Sequence, residues 1–246
     1  MSMSNKRRLI WGRGLLLLLL TVLLPSCSKE MDEGYFSSRE DDKGTTSEAT
    51  ADYQSFSAIV TSKLSPSGEV YFQVTKNETV YPANFSLFGY SFDRPRRIVC
   101  ELVVFDRQYG NLGNYALIDW MEFVQEGPVQ TAGKEGEDGV EVLDDWMTSL
   151  EDGFLTLHFS TWWGFQQKRH ELLLIVGENP DDPYEMRLEH HSNGDPKSMQ
   201  ADALVCFDLA GRLPVPADPA HSFVTLKWRN DAGEIIRRQF PYSSRD

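Results

Sequence analysis

The chain has 246 residues, 41% of them hydrophobic, and carries 24 basic against 37 acidic side chains, a formal charge of −13. That balance argues against a nucleic-acid partner, which needs a basic stripe to neutralise phosphates. The length exceeds the usual single-domain mode and points to one large or two small domains, of which two fit the pattern below better.

Residues 1–26 have the three regions of a secretory signal. Lys6-Arg7-Arg8 supply the basic start, Leu15 to Leu20 and Val22-Leu23-Leu24 the apolar core, and Pro25-Ser26 lead into Cys27. Leu24 and Ser26 stand at −3 and −1 from Cys27, the lipobox spacing at which a lipoprotein signal peptidase cuts before a diacylated cysteine. An uncleaved anchor over Leu9 to Leu24 is the alternative, but Arg13 interrupts that run and shortens it below a comfortable span. Cleavage removes four cations and no acid, moving the formal charge from −13 to −17. Cys27 is therefore expected to carry palmitate-type acyl chains; one chain holds a protein marginally and several hold it firmly.

Residues 27–50 are acidic, rich in Ser, Thr and Gly and poor in aliphatic side chains. They read as a flexible tether, because they cannot bury enough apolar surface to offset ordering. Glu30, Asp32 and Glu33 close behind Cys27 resemble the signal that sends some outer-membrane lipoproteins to the cell exterior; solvation of a tether explains them equally well.

From residue 51 onward alternation of period two dominates. Ser57 to Leu64, Glu69 to Thr75, Arg97 to Asp106 and Asn114 to Val124 favour β-branched and aromatic residues and predict strands. Ser65-Pro66-Ser67-Gly68 predicts the turn between the first two. Residues 125–140 hold four glycines, one proline and four acids with no hydrophobic period, which predicts a linker over 126–140 between domains at 51–125 and 141–243. Asp144 to Leu150 is compatible with one or two helical turns. Further strands are predicted at Gly153 to Trp163, Arg169 to Val176, Glu185 to His190, Asp202 to Leu209, Ser222 to Trp228 and Glu234 to Gln239. Cys100 and Cys206 fall inside strand-like runs of different domains and are expected as buried free thiols, although the envelope permits a disulfide.

The segments GFLTLHFSTWW, RHELLLIV, LEHHSNGDP, ALVCFDLAGRLP and VTLKWRNDAGE, from Gly153 to Glu234, resemble NigD-like proteins in strand order and spacing. The resemblance covers roughly residues 51–243, more loosely in the first half. These are lipoproteins of gut and oral anaerobes. The resemblance implies an all-β chain, a small OB-like barrel followed by an immunoglobulin-like β-sandwich. The family name comes from a bacteriocin operon, which implies at most an immunity-like role, and the resemblance brings no established activity with it.

An OB-like barrel commonly binds on the face of its second and third strands. Here that face would present Tyr71 and Tyr81, which either stack on a ligand or fill the barrel core. On the strand from Gly153 to Trp163, alternation sets Phe154, Thr156, His158, Ser160 and Trp162 on one face and Leu155, Leu157, Phe159 and Trp163 on the other. Trp162 is thereby the candidate for an exposed carbohydrate platform. His190-His191 with Asp195, and His158 or His170 from neighbouring strands, have metal-like residue types. Asn193-Gly194 within the same segment equally predicts a tight turn. No nucleophile elbow, His-Glu-x-x-His helix or phosphate loop is present. The expected protein is a non-enzymatic cell-envelope lipoprotein of the outer membrane, the acids after Cys27 pointing to surface exposure, with no cofactor, no metal, a membrane contact through Cys27 and a protein or glycan partner. The alternatives are a bacteriocin-immunity-like protective protein and, remotely, a metal-dependent hydrolase using His190 or His191.

Overall fold

A computed structural model describes residues 53–105, 114–133, 136, 138–166 and 168–245. The signal sequence, Cys27 and the tether lie outside the described residues. The first strand, β1 (Tyr53–Leu64), turns through Ser65 to Gly68 into β2 (Val70–Thr75). Gly68 takes a φ of 84°, and its N–H donates to the Ser65 carbonyl at 2.9 Å, the turn the Pro-Ser-Gly chemistry calls for. β3 (Glu78–Pro82) follows, then a short 3-10 turn at Phe85–Phe88, β4 (Arg96–Phe105) and β5 (Tyr115–Phe123).

These five strands close in the order β1-β2-β3-β5-β4, with β3 and β5 parallel and the other pairs antiparallel. This is the OB-like barrel, and closure removes every open edge. Its interior is apolar because alternation turns Val60, Phe72, Ile98, Cys100 and Leu102 inward, all with 0% exposure. Phe72 packs edge-on to Phe85 at 5.8 Å, so the 3-10 turn plugs one part of the core.

The stretch expected to be a bare linker is woven into the second half instead. It holds β6 (Gln125–Glu126), β7 (Val129–Gln130) and, just after it, β8 (Glu141–Val142). Asp144 to Leu150 forms a turn leading into β9 (Ser149–Glu151) rather than a helix. The remaining strands are β10 (Phe154–Trp163), β11 (Glu171–Val176), β12 (Glu185–His191), β13 (Met199–Asp208), β14 (Phe223–Arg229) and β15 (Ile235–Pro241). One sheet runs β6-β13-β10-β8, with β9 also on β10, and the other β15-β14-β12-β11-β7. The two sheets sandwich one core that includes Leu155, Leu157, Phe207, Leu174, Leu226 and Val224, all fully buried. Each such side chain contributes roughly 1.5–3 kcal/mol relative to exposure. The sandwich is mixed, because β12 pairs parallel with β14 and the short β6 and β7 pair parallel with β13 and β11.

Barrel and sandwich meet across a polar and an apolar contact. Arg97 on β4 is 2% exposed and donates to Thr61 of β1, Thr156 of β10 and Glu151 of β9 at 3.1–3.2 Å. Beside it Val124, Phe154 and Cys206 form a small cluster with Val99 and Leu204. This explains why both faces of β10 are buried over Phe154 to Phe159: one lies on the sandwich core, and Phe154 and Thr156 lie under the barrel. Burial also keeps Cys100 and Cys206 as free thiols, each pushed up to about 12 by desolvation.

Candidate functional site

The barrel exterior carries an aromatic row that follows from register. Phe72 pairs with Val80 and both point inward, so the next positions, Tyr71 on β2 and Tyr81 on β3, face outward beside each other. Parallel pairing then sets Tyr81 opposite Tyr115 on β5, whose neighbour Ala116 is inside. The ring centroids are 6.1 Å apart for Tyr71 and Tyr81 and 5.5 Å for Tyr81 and Tyr115, with successive rings tilted by 46° and 39°. The result is a faceted strip of three rings across three strands. Tyr71 and Tyr81 are half-buried and Tyr115 is 44% exposed. They therefore lie side by side, tilted against one another, outside the barrel rather than filling its core.

Charge around the strip is sparse and committed. Lys63, opposite Tyr71 on β1, reaches across to Asp152 of the sandwich at 2.6 Å. The Tyr115 hydroxyl donates to Glu69 at 3.3 Å, and the negative charge of Glu69 raises the tyrosine's pKa. Aromatic faces, tyrosine hydroxyls and one carboxylate can offer stacking and hydrogen bonds. Tyr115 was not legible as part of this group, because it joins the row only through the long-range pairing of β3 with β5.

Trp162 does not join the strip. It is half-buried and lies eight residues along β10 from Phe154, roughly 26 Å at the rise of a strand, whereas Phe154 marks the barrel end. Trp163 packs on the sandwich core as its face requires and stacks on His170 at 4.1 Å. The most exposed indoles among the described residues are Trp146 and Trp120, at 49% and 44%.

The histidines are brought together, but in a line. Nδ1 of His190 faces the Gly139 carbonyl at 2.8 Å and, since a carbonyl only accepts, donates to it. His190 Nε2 then accepts from His170 Nδ1 at 3.0 Å, and His170 Nε2 faces Asp195 at 3.3 Å. Burial holds the His190 pKa below its ordinary value. A metal needs several lone pairs converging on one point; here each ring nitrogen is spent on its neighbour. His191 alternates to the other side of β12, and His158 sits apart between Asp145 and Asp202. Among the described residues no group of three His, Cys, Asp or Glu is placed to hold a metal. The Asn193-Gly194 turn forms with φ of 54° and 70°, both positive as a tight reversal needs.

Residues 122–242, which span the sandwich, match the NigD-like C-terminal beta sandwich domain. The second half of this chain is a NigD-like domain. Solved structures with the same fold include a protein described as toxin-related from Parabacteroides distasonis, with TM-score 0.61 and 18% identity over 78% of this chain and 95% of its own. A NigD-like immunity protein from Bacteroides caccae superposes at 0.50 with 17% identity over 74% and 91% of the two chains. A protein described as a lipoprotein from Bacteroides fragilis does so at 0.54 with 11% identity over 78% and 100%. At these identities the likeness establishes the fold that carries the NigD-like domain and its barrel. No curated protein matches the chain.

Proposed function

We propose that this chain is a non-enzymatic lipoprotein of the outer membrane, held by acyl chains on Cys27, whose OB-like barrel recognises a glycan or protein segment along Tyr71, Tyr81 and Tyr115. The tyrosine row is the observation that carries the reading. Three rings in register on neighbouring strands give a rigid contact surface with little side-chain entropy to lose, and their hydroxyls can hydrogen-bond a hydroxyl-rich ligand. The acidic total charge and the absence of an unpaired cation at Lys63 speak against a phosphate backbone in the same place. Cys27 and the acids behind it support display at the membrane surface.

The test is a fluorescence titration of the full chain in detergent micelles with xylohexaose, maltohexaose and chitohexaose. Saturable binding by at least one, weakened about ten-fold or more by Tyr81→Ala, fits the loss of a central contact worth over 1 kcal/mol. Equal affinity in the variant would remove the row from the account.

Likeness to a NigD-like immunity protein favours a second reading, in which the same row masks a toxin or its target. A deletion strain rescued by the wild-type chain but not by Tyr81→Ala, when challenged with kin-derived toxin, supports it.

A further inference from the structure

The tyrosine row has a sign as well as a shape, and Glu69 gives it. Glu69 stands two residues before Tyr71, so alternation sets it on the same outer face. The turn out of β1 holds it: its N–H donates to Ser65 Oγ at 3.0 Å, and its carbonyl accepts from the Ser65 N–H at 2.8 Å. The Tyr115 hydroxyl reaches its Oε1 from β5, on the far side of Tyr81. The carboxylate therefore lies beside the rings, exposed, with its charge raising the Tyr115 pKa. At 3.3 Å that bond is longer than the usual O–H···O distance of about 2.7–2.8 Å, so the carboxylate is open to a stronger donor.

Of the two charges that register sets against the row, only this one is exposed. Lys63, opposite Tyr71, is spent on Asp152 in a pair whose side chains are 15% and 12% exposed. The next cation along the hairpin, Lys76, lies in the β2–β3 turn two residues from Glu78, roughly 16 Å from Tyr71 at the rise of a strand. Ring faces are the negative pole of an aromatic side chain and attract a cation. Three rings, a carboxylate and a chain of formal charge −13 all favour the same sign of ligand. A uronate or a phosphate would meet Glu69 as a like charge.

Among cations, arginine fits both parts of the site. Its planar guanidinium stacks on an aromatic face while its paired N–H groups meet a carboxylate as a fork. Lysine, and an ammonium on a sugar ring, are point charges without that plane or fork. The row crosses three strands and is open at Tyr115, 44% exposed, so an extended chain can lie across it with a side chain flat on the rings. Successive side chains on one side of an extended segment are roughly 6.7 Å apart, close to the 6.1 and 5.5 Å between ring centroids.

Taking the row as a binding surface, we infer that its occupant is an extended protein segment bearing arginine, the guanidinium stacked on Tyr81 and Tyr115 and forked on Glu69. This is narrower than recognition of a glycan or protein along the row, and it can fail while that reading stands.

Calorimetric titration of the full chain in detergent micelles tests this, with blocked hexapeptides alternating serine with arginine, lysine or citrulline, and with hexaglucosamine as an amino-glycan. The arginine peptide is expected to bind and the lysine peptide to bind more weakly. Hexaglucosamine and the citrulline peptide, which keeps the shape of arginine without its charge, should be at least about ten-fold weaker. Glu69→Gln should weaken the arginine peptide about ten-fold or more, while Asp181→Asn, an exposed acid in a sandwich turn, leaves it unchanged. Raising salt should weaken binding to the wild type, a measurement that needs no variant to fold. No binding by the arginine peptide, equal affinity for the citrulline or lysine peptide, tighter binding of hexaglucosamine, or an unaffected Glu69→Gln would each overturn the inference. If a hexaose still binds and Tyr81→Ala weakens it, the row outlives that failure as a glycan site; if Tyr81→Ala leaves every ligand bound as before, the row falls with it.

Discussion

Replacing Arg97 with alanine should uncouple the barrel from the sandwich, and the cost can be worked from its partners. The guanidinium is almost fully buried and makes three hydrogen bonds, two to the hydroxyls of Thr61 and Thr156 and one to Glu151. Burial lowers its pKa, and Glu151 pulls the other way. All three bonds are donated by a cation and contribute about 1.5–3 kcal/mol each before the cost of burying the guanidinium is set against them. Because the Glu151 side chain is 46% exposed, solvent screening puts that bond at the low end. Truncation also strands two buried threonine hydroxyls, so Arg97→Ala should cost about 3–4 kcal/mol, in the range for removing one partner of a buried pair. Arg97→Met keeps most of the volume and removes the desolvation cost, and should lose only about 1–2 kcal/mol. For a folded body the size of Ala49–Asp246, each kcal/mol shifts the melting midpoint by about 2–4 °C, so the alanine variant should melt about 6–16 °C lower. Differential scanning calorimetry with a guanidinium melt would measure both. An alanine variant within about 1 kcal/mol of wild type, or a methionine variant as damaged as the alanine one, would refute the reasoning.

Three further outcomes are expected. Mass spectrometry of the protein purified from its membrane should find Cys27 as the acylated N-terminus, and Cys27→Ser should abolish palmitate incorporation; an unmodified Cys27 contradicts this. Burial alone would lower the His158 pKa, but hydrogen bonds to Asp202 and Asp145 raise it above its ordinary 6.5. A raised folded-state value stabilises fully below about 6.5 and is lost as pH rises through the folded value, so His158→Gln should destabilise more near pH 5.5 than near pH 8.5. An equal loss at both would dismiss the carboxylate pairing. Gly164→Ala should destabilise by about 2 kcal/mol or more, because its Cβ would meet the Pro196 carbonyl at 2.6 Å and press on Asp195, the anchor of the histidine line; a thermal melt within error of wild type would show that the turn simply gives way.

Most long strands were legible because alternation over six or more residues is a local signal, as in Arg96–Phe105 and Phe154–Trp163. β6, β7 and β8 were not, since two residues carry no period and pair only because the sandwich edges are already there. Arg97 was legible as the lead of a central strand but not as buried, because only the fold supplies Thr61, Thr156 and Glu151 as its partners. Tyr71 and Tyr81 could be picked out from one hairpin, whereas Tyr115 depends on the pairing of β3 with β5, strands far apart in sequence. Alternation places Trp162 on the face away from the sandwich core but does not say how far that face is covered, and Trp162 is half-buried.

The most direct test of the tyrosine row is fluorine NMR of the full chain labelled with fluorotyrosine, titrated with xylohexaose, maltohexaose and chitohexaose. The account predicts that a binding hexaose shifts the resonances of Tyr71, Tyr81 and Tyr115 together, while Tyr184 and Tyr242, paired with each other in the sandwich, stay in place. Shifts confined to Tyr184 and Tyr242, or a saturating hexaose that leaves the three row resonances unmoved, would contradict it.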